Sequence, residues 1–331
     1  KDILFPAKTH SFKQWSEALI AYSKTGKLRQ EYDYWRGICN AAAEKKGKGK
    51  LKDYYRCKIE LDEEESRMFL QDAQRAYNTE INDLLLSALA LALRECFDWK
   101  QTVIHLEGHG REAIIDGVDI GRTVGWFTSL FPVILDMERS DELSYALKNV
   151  KETLRKIPAK GMLYGIVKYL AHGDEKDGSF EEVEPEIMFN YLGQFSTPAE
   201  TTGGDDGIFE FSRLAAAGSA GPGLAQVHTL TVNGMMVAGK LSLSFAYNRH
   251  EYDEKTIRSL ADRYQSHLVN LIDFCCRYPR QELTPSDVMD VTHYAISLAE
   301  FSSVMKHIET NIVEKPAIEA IYPLKAIHMP V

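Results

Sequence analysis

The segment VIHLEGHGREAIID, Val103 to Asp116, puts a carboxylate, two imidazoles and a guanidinium within seven residues. The Glu107 carboxylate stands between the imidazoles of His105 and His109, the Arg111 guanidinium follows, and Gly108 and Gly110 separate them. A histidine-glutamate-histidine cluster first suggests a metal. Zinc proteases need H-E-x-x-H on a helix, and zinc deaminases need H-x-E followed by P-C-x-x-C. Neither pattern is present, so a metal here is the weak reading. GSAGPG, Gly218 to Gly223, lacks the lysine and hydroxyl of a phosphate loop, and no G-x-S-x-G offers a serine nucleophile. Acid/base work by Glu107 remains. A carboxylate at a buried strand end, with glycines admitting close approach, can have a raised pKa and take a proton from carbon. A structural ion pair between Glu107 and Arg111 fits the same spacing at least as well, and the residues alone leave both open.

The elements that must position these groups follow from periodicity. QTVIHLEG reads as a strand with Val103, His105 and Glu107 on one face and Thr102, Ile104 and Leu106 on the other. Ser11 and Gln14 form a capping box for a helix to about Thr25, with Phe12, Trp15 and Leu19 on one face. A second helix carries Tyr34, Trp35 and Ile38. Tyr55 to Leu61 alternates as a strand, and Asp62 with Glu65 starts a helix through about Tyr77. Thr79 opens EINDLLLSALALALRECF, whose Ile81 to Leu93 is apolar nearly all round and therefore central. A helix after Ser140 carries Leu143, Ala146, Leu147, Val150 and Leu154.

EIMFNYLG, Glu186 to Gly193, reads as a buried strand, and Thr201 to Gly207 and Ala215 to Gly223 as surface loops. QVHTLTV and KLSLSFAY flank Asn233 to Gly239 as a hairpin. Asp253 caps a long helix whose inner face is Ile257, Leu260, Ala261, Tyr264, Leu268, Leu271, Ile272 and Cys275. After Leu283 comes a linker with one amphipathic helix, about Leu298 to Ile312. Alternating strands and helices give an α/β or α+β class with a mixed sheet.

Composition narrows the partners. The 331 residues carry a net charge of −9, from 48 acidic against 39 basic residues, and the basic ones are scattered except for Lys45 to Lys52, which argues against nucleic acid. No apolar run reaches the roughly 18 residues of a membrane span. Five cysteines without C-x-x-C spacing, and no signal peptide, fit the cytoplasm. The chain opens at Lys1 and reads as a piece of something longer.

Four segments together resemble the epimerization domains of nonribosomal peptide synthetases, members of the condensation-domain superfamily. These are NDLLLSALA (Asn82 to Ala90), EGHGRE (Glu107 to Glu112), RTVGWFTSLFPV (Arg122 to Val133) and FNYLGQ (Phe189 to Gln194), in the family's order. The resemblance covers about Ser11 to Asp287. It implies a chloramphenicol-acetyltransferase-like condensation/epimerization fold, mainly its carboxy-terminal lobe: residues 1–60 ending the amino-terminal lobe, 61–283 the carboxy-terminal lobe, and 284–331 a linker towards a following condensation-type domain. Two departures stand out. PAKGMLYG, Pro158 to Gly165, has Leu163 where the family has glycine, a tolerable loop change. The H-H-x-x-x-D-G motif of the amino-terminal lobe is absent.

The resemblance implies inversion at the Cα of an aminoacyl or peptidyl thioester, by proton removal on one face and return on the other. Glu107 is then one of the two groups, and a histidine of the absent motif the other. Asn190 and Tyr191 line the thioester region. Arg111 is expected to pair with the absent motif's aspartate, and here to be hydrated or paired with Glu112 or Asp116. His109 reads as structural, and Trp126 and Phe127 as core or channel wall. No cofactor is bound directly, since the substrate arrives on the phosphopantetheine of a carrier domain. Implied partners are that peptidyl carrier domain, a following condensation domain and the missing amino-terminal lobe. An isolated fragment is expected to be weak or inactive. A peptide-bond-forming condensation domain and a non-catalytic carrier-docking fragment are the competing readings.

Overall fold

Side-chain caps mark where the helices begin. Ser11 and Gln14 close a reciprocal capping box on α1 (Phe12–Tyr22), and Asp62 and Glu65 do the same on α3 (Glu63–Gln71). Asp253 accepts from the Thr256 amide and starts α7 (Glu254–Arg277). The remaining elements, in chain order, are α2 (Leu28–Ala41), β1 (Gly49–Lys50), β2 (Tyr54–Glu60), α4 (Ile81–Phe97), β3 (Gln101–Gly108), β4 (Ser129–Asp136), α5 (Leu143–Arg155), α6 (Met162–Tyr169), β5 (Ile187–Phe195), β6 (Ala225–Gln226), β7 (Leu230–Val237), β8 (Lys240–Asn248), α8 (Pro285–Val288) and α9 (Leu298–Asn311). The computed structural model describes residues 7–26, 28–41, 49–50, 53–138, 142–170, 183–195, 223–278, 280–292, 294, 296–311 and 318–322. The loops read at 201–207 and 215–222 lie outside them. No described helix is long and apolar enough to cross a membrane.

Contacts divide the chain into two units, Lys1–Lys46 with Val103–Ile134 and Ile157–Phe189, and Gly47–Thr102 with Leu135–Lys156 and Asn190–Val331. Strand β5 runs through both, and the strand order read along it is β2-β8-β7-β5-β3-β4, six strands of a mixed sheet. This is the α/β mixed-sheet class expected from the alternation of elements.

In the first unit the core forms around Trp35, which is fully buried and meets the rings of Phe131 and Tyr164 edge-on at 6.1 and 5.0 Å. A second small core joins Trp15 of α1, Ile120 and Met162, with Leu19, Ile114, Ile115, Val118 and Phe127 packed against it. Residues 109–128 carry no regular element, yet they own part of this core.

In the second unit β2, β8 and β7 pair antiparallel. Helix α4 is buried without a break from Asp83 to Leu93, and the buried face of α7 is the eight-residue set read from its spacing. The Tyr264 hydroxyl of α7 donates to the Leu85 carbonyl of α4 at 3.1 Å. The β7–β8 connection is tighter than the sequence suggests. Ala238 and Gly239 alone make the turn, with φ of 49° and 75°, and Asn233 to Val237 extend the strand. Helix α3 is also shorter than expected. It stops at Gln71, a 3-10 turn follows over Ala73–Arg75, and Tyr77 is buried beyond it.

Helix α5 contributes an unusual face. Besides Ala146, Leu147 and Val150 it buries Lys151 and Glu152. The Lys151 ammonium donates to both Asp287 oxygens at 2.7 and 2.8 Å and to the Tyr77 carbonyl at 2.7 Å. Glu152 accepts from the Ser286 amide and hydroxyl, and Arg155 forks onto the fully buried Asp83 at 3.2 and 2.8 Å. These bonds tie α8 and the start of α4 to α5. Burial would raise the Asp287 carboxyl, but hydrogen bonds from Lys151, Asn78 and the Thr284 amide hold it below the ordinary aspartate range.

Removing the cation alone should therefore be severe. Lys151→Met is predicted to cost about 3–5 kcal/mol in urea unfolding, as for any buried pair stripped of one partner, and Lys151→Met with Asp287→Leu should recover much of it. A depressed carboxylate stabilises above its unfolded pKa and loses that contribution as pH falls through the folded one. The wild-type advantage over the double variant is thus expected to shrink below the ordinary aspartate range, and an advantage that grows on acidification would contradict the assignment.

Candidate functional site

Glu107 is the last residue but one of β3. It is half-buried, and burial pushes its carboxyl above the ordinary glutamate value. His105, two residues back on the same strand face, is buried. Parallel pairing sets Ile104, His105 and Leu106 opposite Ile187, Met188 and Phe189 of β5. Alternation along β5 then gives Asn190 the face of Met188 and Tyr191 the face of Phe189. The two residues thus part company. In the second unit the Tyr191 ring lies against Gly234, where a Cβ would stand 3.3 Å from Tyr191 Cδ2, and burial raises its phenol.

Beyond Glu107 the backbone is crowded. A Cβ at Gly108 would lie 2.9 Å from Ser129 Oγ and 3.3 Å from the Phe131 ring. Gly110 has φ of +65°, and a Cβ there would fall 1.6 Å from the Phe127 carbonyl oxygen. Only glycine fits both demands. This close approach draws the chain of 123–128 against the strand end.

Arg111 turns inward from that point. Its guanidinium donates to the carbonyls of Ile120 at 2.6 Å and Thr123 at 2.8 Å, and its Cζ lies 4.0 Å from the Phe127 ring centroid. This corrects the expectation of hydration or of pairing with Glu112 or Asp116, and it also removes the Glu107–Arg111 pair. Backbone carbonyls give an arginine its partners without any acidic residue in the sequence. Glu112 is engaged by His109 instead, 2.9 Å from Nε2, while His109 Nδ1 accepts from the Arg111 amide at 3.0 Å. The His109 ring is thereby held as the Nε2-protonated tautomer, in a bracing role on an exposed side chain.

The turn at 118–123 is laced to the residues before α1. The His10 amide donates to the Asp119 carbonyl, and His10 Nδ1 accepts from the Asp119 amide at 3.0 Å. Thr123 Oγ1 donates to the His10 carbonyl and lies 3.1 Å from Thr9 Oγ1. Phe127 is half-buried in the small core, but Trp126 is 82% exposed, so the core reading fails for Trp126. Sequence reasoning missed Phe127 as the platform for Arg111. The glycine between His109 and Arg111 was its available signal.

Arg111→Ala should destabilise the chain by about 2–4 kcal/mol, the loss of two hydrogen bonds from a charged donor, in chemical denaturation. Arg111→Lys keeps the charge but loses the fork, and should restore less than half. Faster amide exchange across 114–123 is expected in both variants, and unchanged exchange there would refute the bracing role.

Comparison with known proteins gives consistent results. A family model described as the condensation domain matches residues 1–290. The chain is 41% identical over 300 residues to gramicidin S synthase 1 of Brevibacillus brevis, covering 86% of this chain and 27% of that protein. It is 38% identical over 294 residues to surfactin synthase subunit 1 of Bacillus subtilis (strain 168), covering 87% and 8%. The chain thus spans only a small part of these relatives. Among solved structures, the epimerization domain from the third module of tyrocidine synthetase B superposes with a TM-score of 0.76 at 38% identity, covering 84% of this chain and 62% of that one.

Proposed function

The chain belongs to the condensation-domain family, and we propose that within it Glu107 serves an epimerase, exchanging the Cα proton of a carrier-bound aminoacyl or peptidyl thioester. One observation carries this: the glutamate of EGHGRE stands at a strand end, half-buried, with its carboxyl raised. A raised carboxylate is a better proton acceptor near neutrality than a solvated one. The likeness to a solved epimerization domain supports the same reading.

In this mechanism the thioester acidifies the Cα–H bond. Glu107 takes the proton, the electron pair moves onto the thioester oxygen as an enolate, and a proton returns to Cα from the opposite face while the carbonyl reforms. The donor on that face is assigned to a histidine of the H-H-x-x-x-D-G motif, which this chain does not contain. Asn190, on the Met188 face of β5, is assigned to donate to the oxygen that gathers charge, a contribution worth about 2.7–4 kcal/mol in a dry site. The phosphopantetheine belongs to the carrier domain that brings the substrate, and a condensation domain is proposed to take the product. Arg111, His109 and Glu112 position the loop that follows Glu107.

Peptide-bond formation is the competing reading, since the family's name covers it. The joint presence of EGHGRE and FNYLGQ weighs against it. The test is deuterium entry at Cα, in D2O, of an L-aminoacyl thioester on a carrier protein, with this chain and with a longer polypeptide holding the whole domain. Exchange by the longer polypeptide is expected to fall about 10²–10⁴-fold in Glu107→Gln. Exchange that survives the substitution would remove Glu107 from the chemistry, and amide formation with a second carrier substrate without exchange would establish condensation instead.

A further inference from the structure

Past α7 the backbone is fastened at each step. The Glu282 amide donates to the Ala76 carbonyl at 2.8 Å, and α8 sits on the Lys151 and Glu152 pairs of α5. The matched family region ends at residue 290, yet regular structure continues beyond it. Ser297 and Glu300 close a capping box on α9: the Glu300 amide donates to Ser297 Oγ at 3.1 Å, and the Ser297 amide to the Glu300 carboxylate at 2.9 Å. Leu298, Phe301, Met305 and Ile308 share one face of that helix, where Phe301 is buried and the other three are half-buried. Beyond α9 the Ile321 amide donates at 2.8 Å to the carbonyl of Val288, the last residue of α8. A segment whose prolines and lone amphipathic helix read as a linker thus returns to the helix it left.

We infer that the segment from Ser297 to Tyr322 is a strap docked on α8, which fixes the point from which any following polypeptide leaves this unit. A tether that must carry a neighbour across a distance uses its residues for reach. About 33 residues of free chain span about 30 Å root-mean-square, and up to about 110 Å when extended. Here the same stretch brings the Ile321 amide within one hydrogen bond of Val288, so its length adds no reach. One backbone bond is too weak to close a loop of that size, and the buried Phe301 ring adds the apolar contact that helps to hold it. The anchor itself is firm, because α8 is gripped by buried charge, Lys151 on Asp287 at 2.7 Å and Glu152 on Ser286. A pull on the strap is therefore passed to α5. On the reading above, the condensation domain that takes the product is presented from a fixed place beside α8, and the movement that delivers substrate falls to the carrier domain's own connections.

Electron-spin distance measurement and hydrogen exchange with mass spectrometry, both on the full chain, test this. The spin labels are carried on noncanonical residues at Lys255 and Glu319, both exposed, because the five native cysteines would compete for a thiol reagent. The wild-type chain is expected to give a narrow distance distribution, against the roughly 30 Å spread of a free tether. Ile321→Pro removes the amide donor and is expected to broaden that distribution. It should also speed exchange across 298–308 by about tenfold or more while α7 stays unchanged. Ile321→Val keeps the amide and should behave as wild type. A broad distribution in the wild-type chain overturns the inference. So does protection of 298–308 that Ile321→Pro leaves intact, since α9 then stands without the return contact. Protection that rises with protein concentration assigns the contact to a second copy and overturns it as well. No readout uses epimerase activity, so failure of the proposed reaction leaves the outcome interpretable.

Discussion

Where a side chain at position 110 would have to be, the Phe127 carbonyl oxygen already stands. This backbone-to-backbone approach, possible only for glycine at positive φ, fixes where the chain runs after β3. It brings the Phe127 ring beneath Arg111, whose two hydrogen bonds then close the 120–123 turn, and that turn is in turn laced to His10 and Thr9 ahead of α1. A segment with no helix or strand is thus given one conformation. Glu107 lies at the strand end before it, half-buried, and burial raises its carboxyl.

In the second unit, helix α4 ends in a left-handed turn at Asp98. Its N-terminus is secured by Arg155 on the buried Asp83, on the same α5 whose Lys151 and Glu152 hold α8. Charges are costly to bury, and these are tolerated because each meets several partners with short hydrogen bonds.

Much of this was legible where one residue's neighbours along the chain decide its conformation. The boxes at Ser11 and Asp62, the strand Gln101 to Gly108 and the buried face of α7 all follow from local spacing and match the structure. What stayed hidden depends on distant backbone. Asn233-Gly234 is a strong turn signal, yet Gly234 is needed within β7 for its approach to Leu243 and Tyr191, and the turn falls on Ala238 and Gly239. Arg111 finds carbonyls, which no side-chain pattern announces. Lys151 and Glu152 lie outside the apolar set read for α5, and both are buried with partners on α8. Trp126 reads as core or channel wall, and its exposure of 82% removes the core reading.

The proposed proton exchange depends on Glu107 being a proton acceptor made by burial. Carbon-13 NMR of the side-chain carboxyls in this chain, with Glu107→Gln used for assignment, observes that group directly. A titration midpoint clearly above the ordinary glutamate range is the result expected from the burial of the strand end. A midpoint within or below that range would mean a solvated or charge-paired carboxylate, and Glu107 would then be a structural residue.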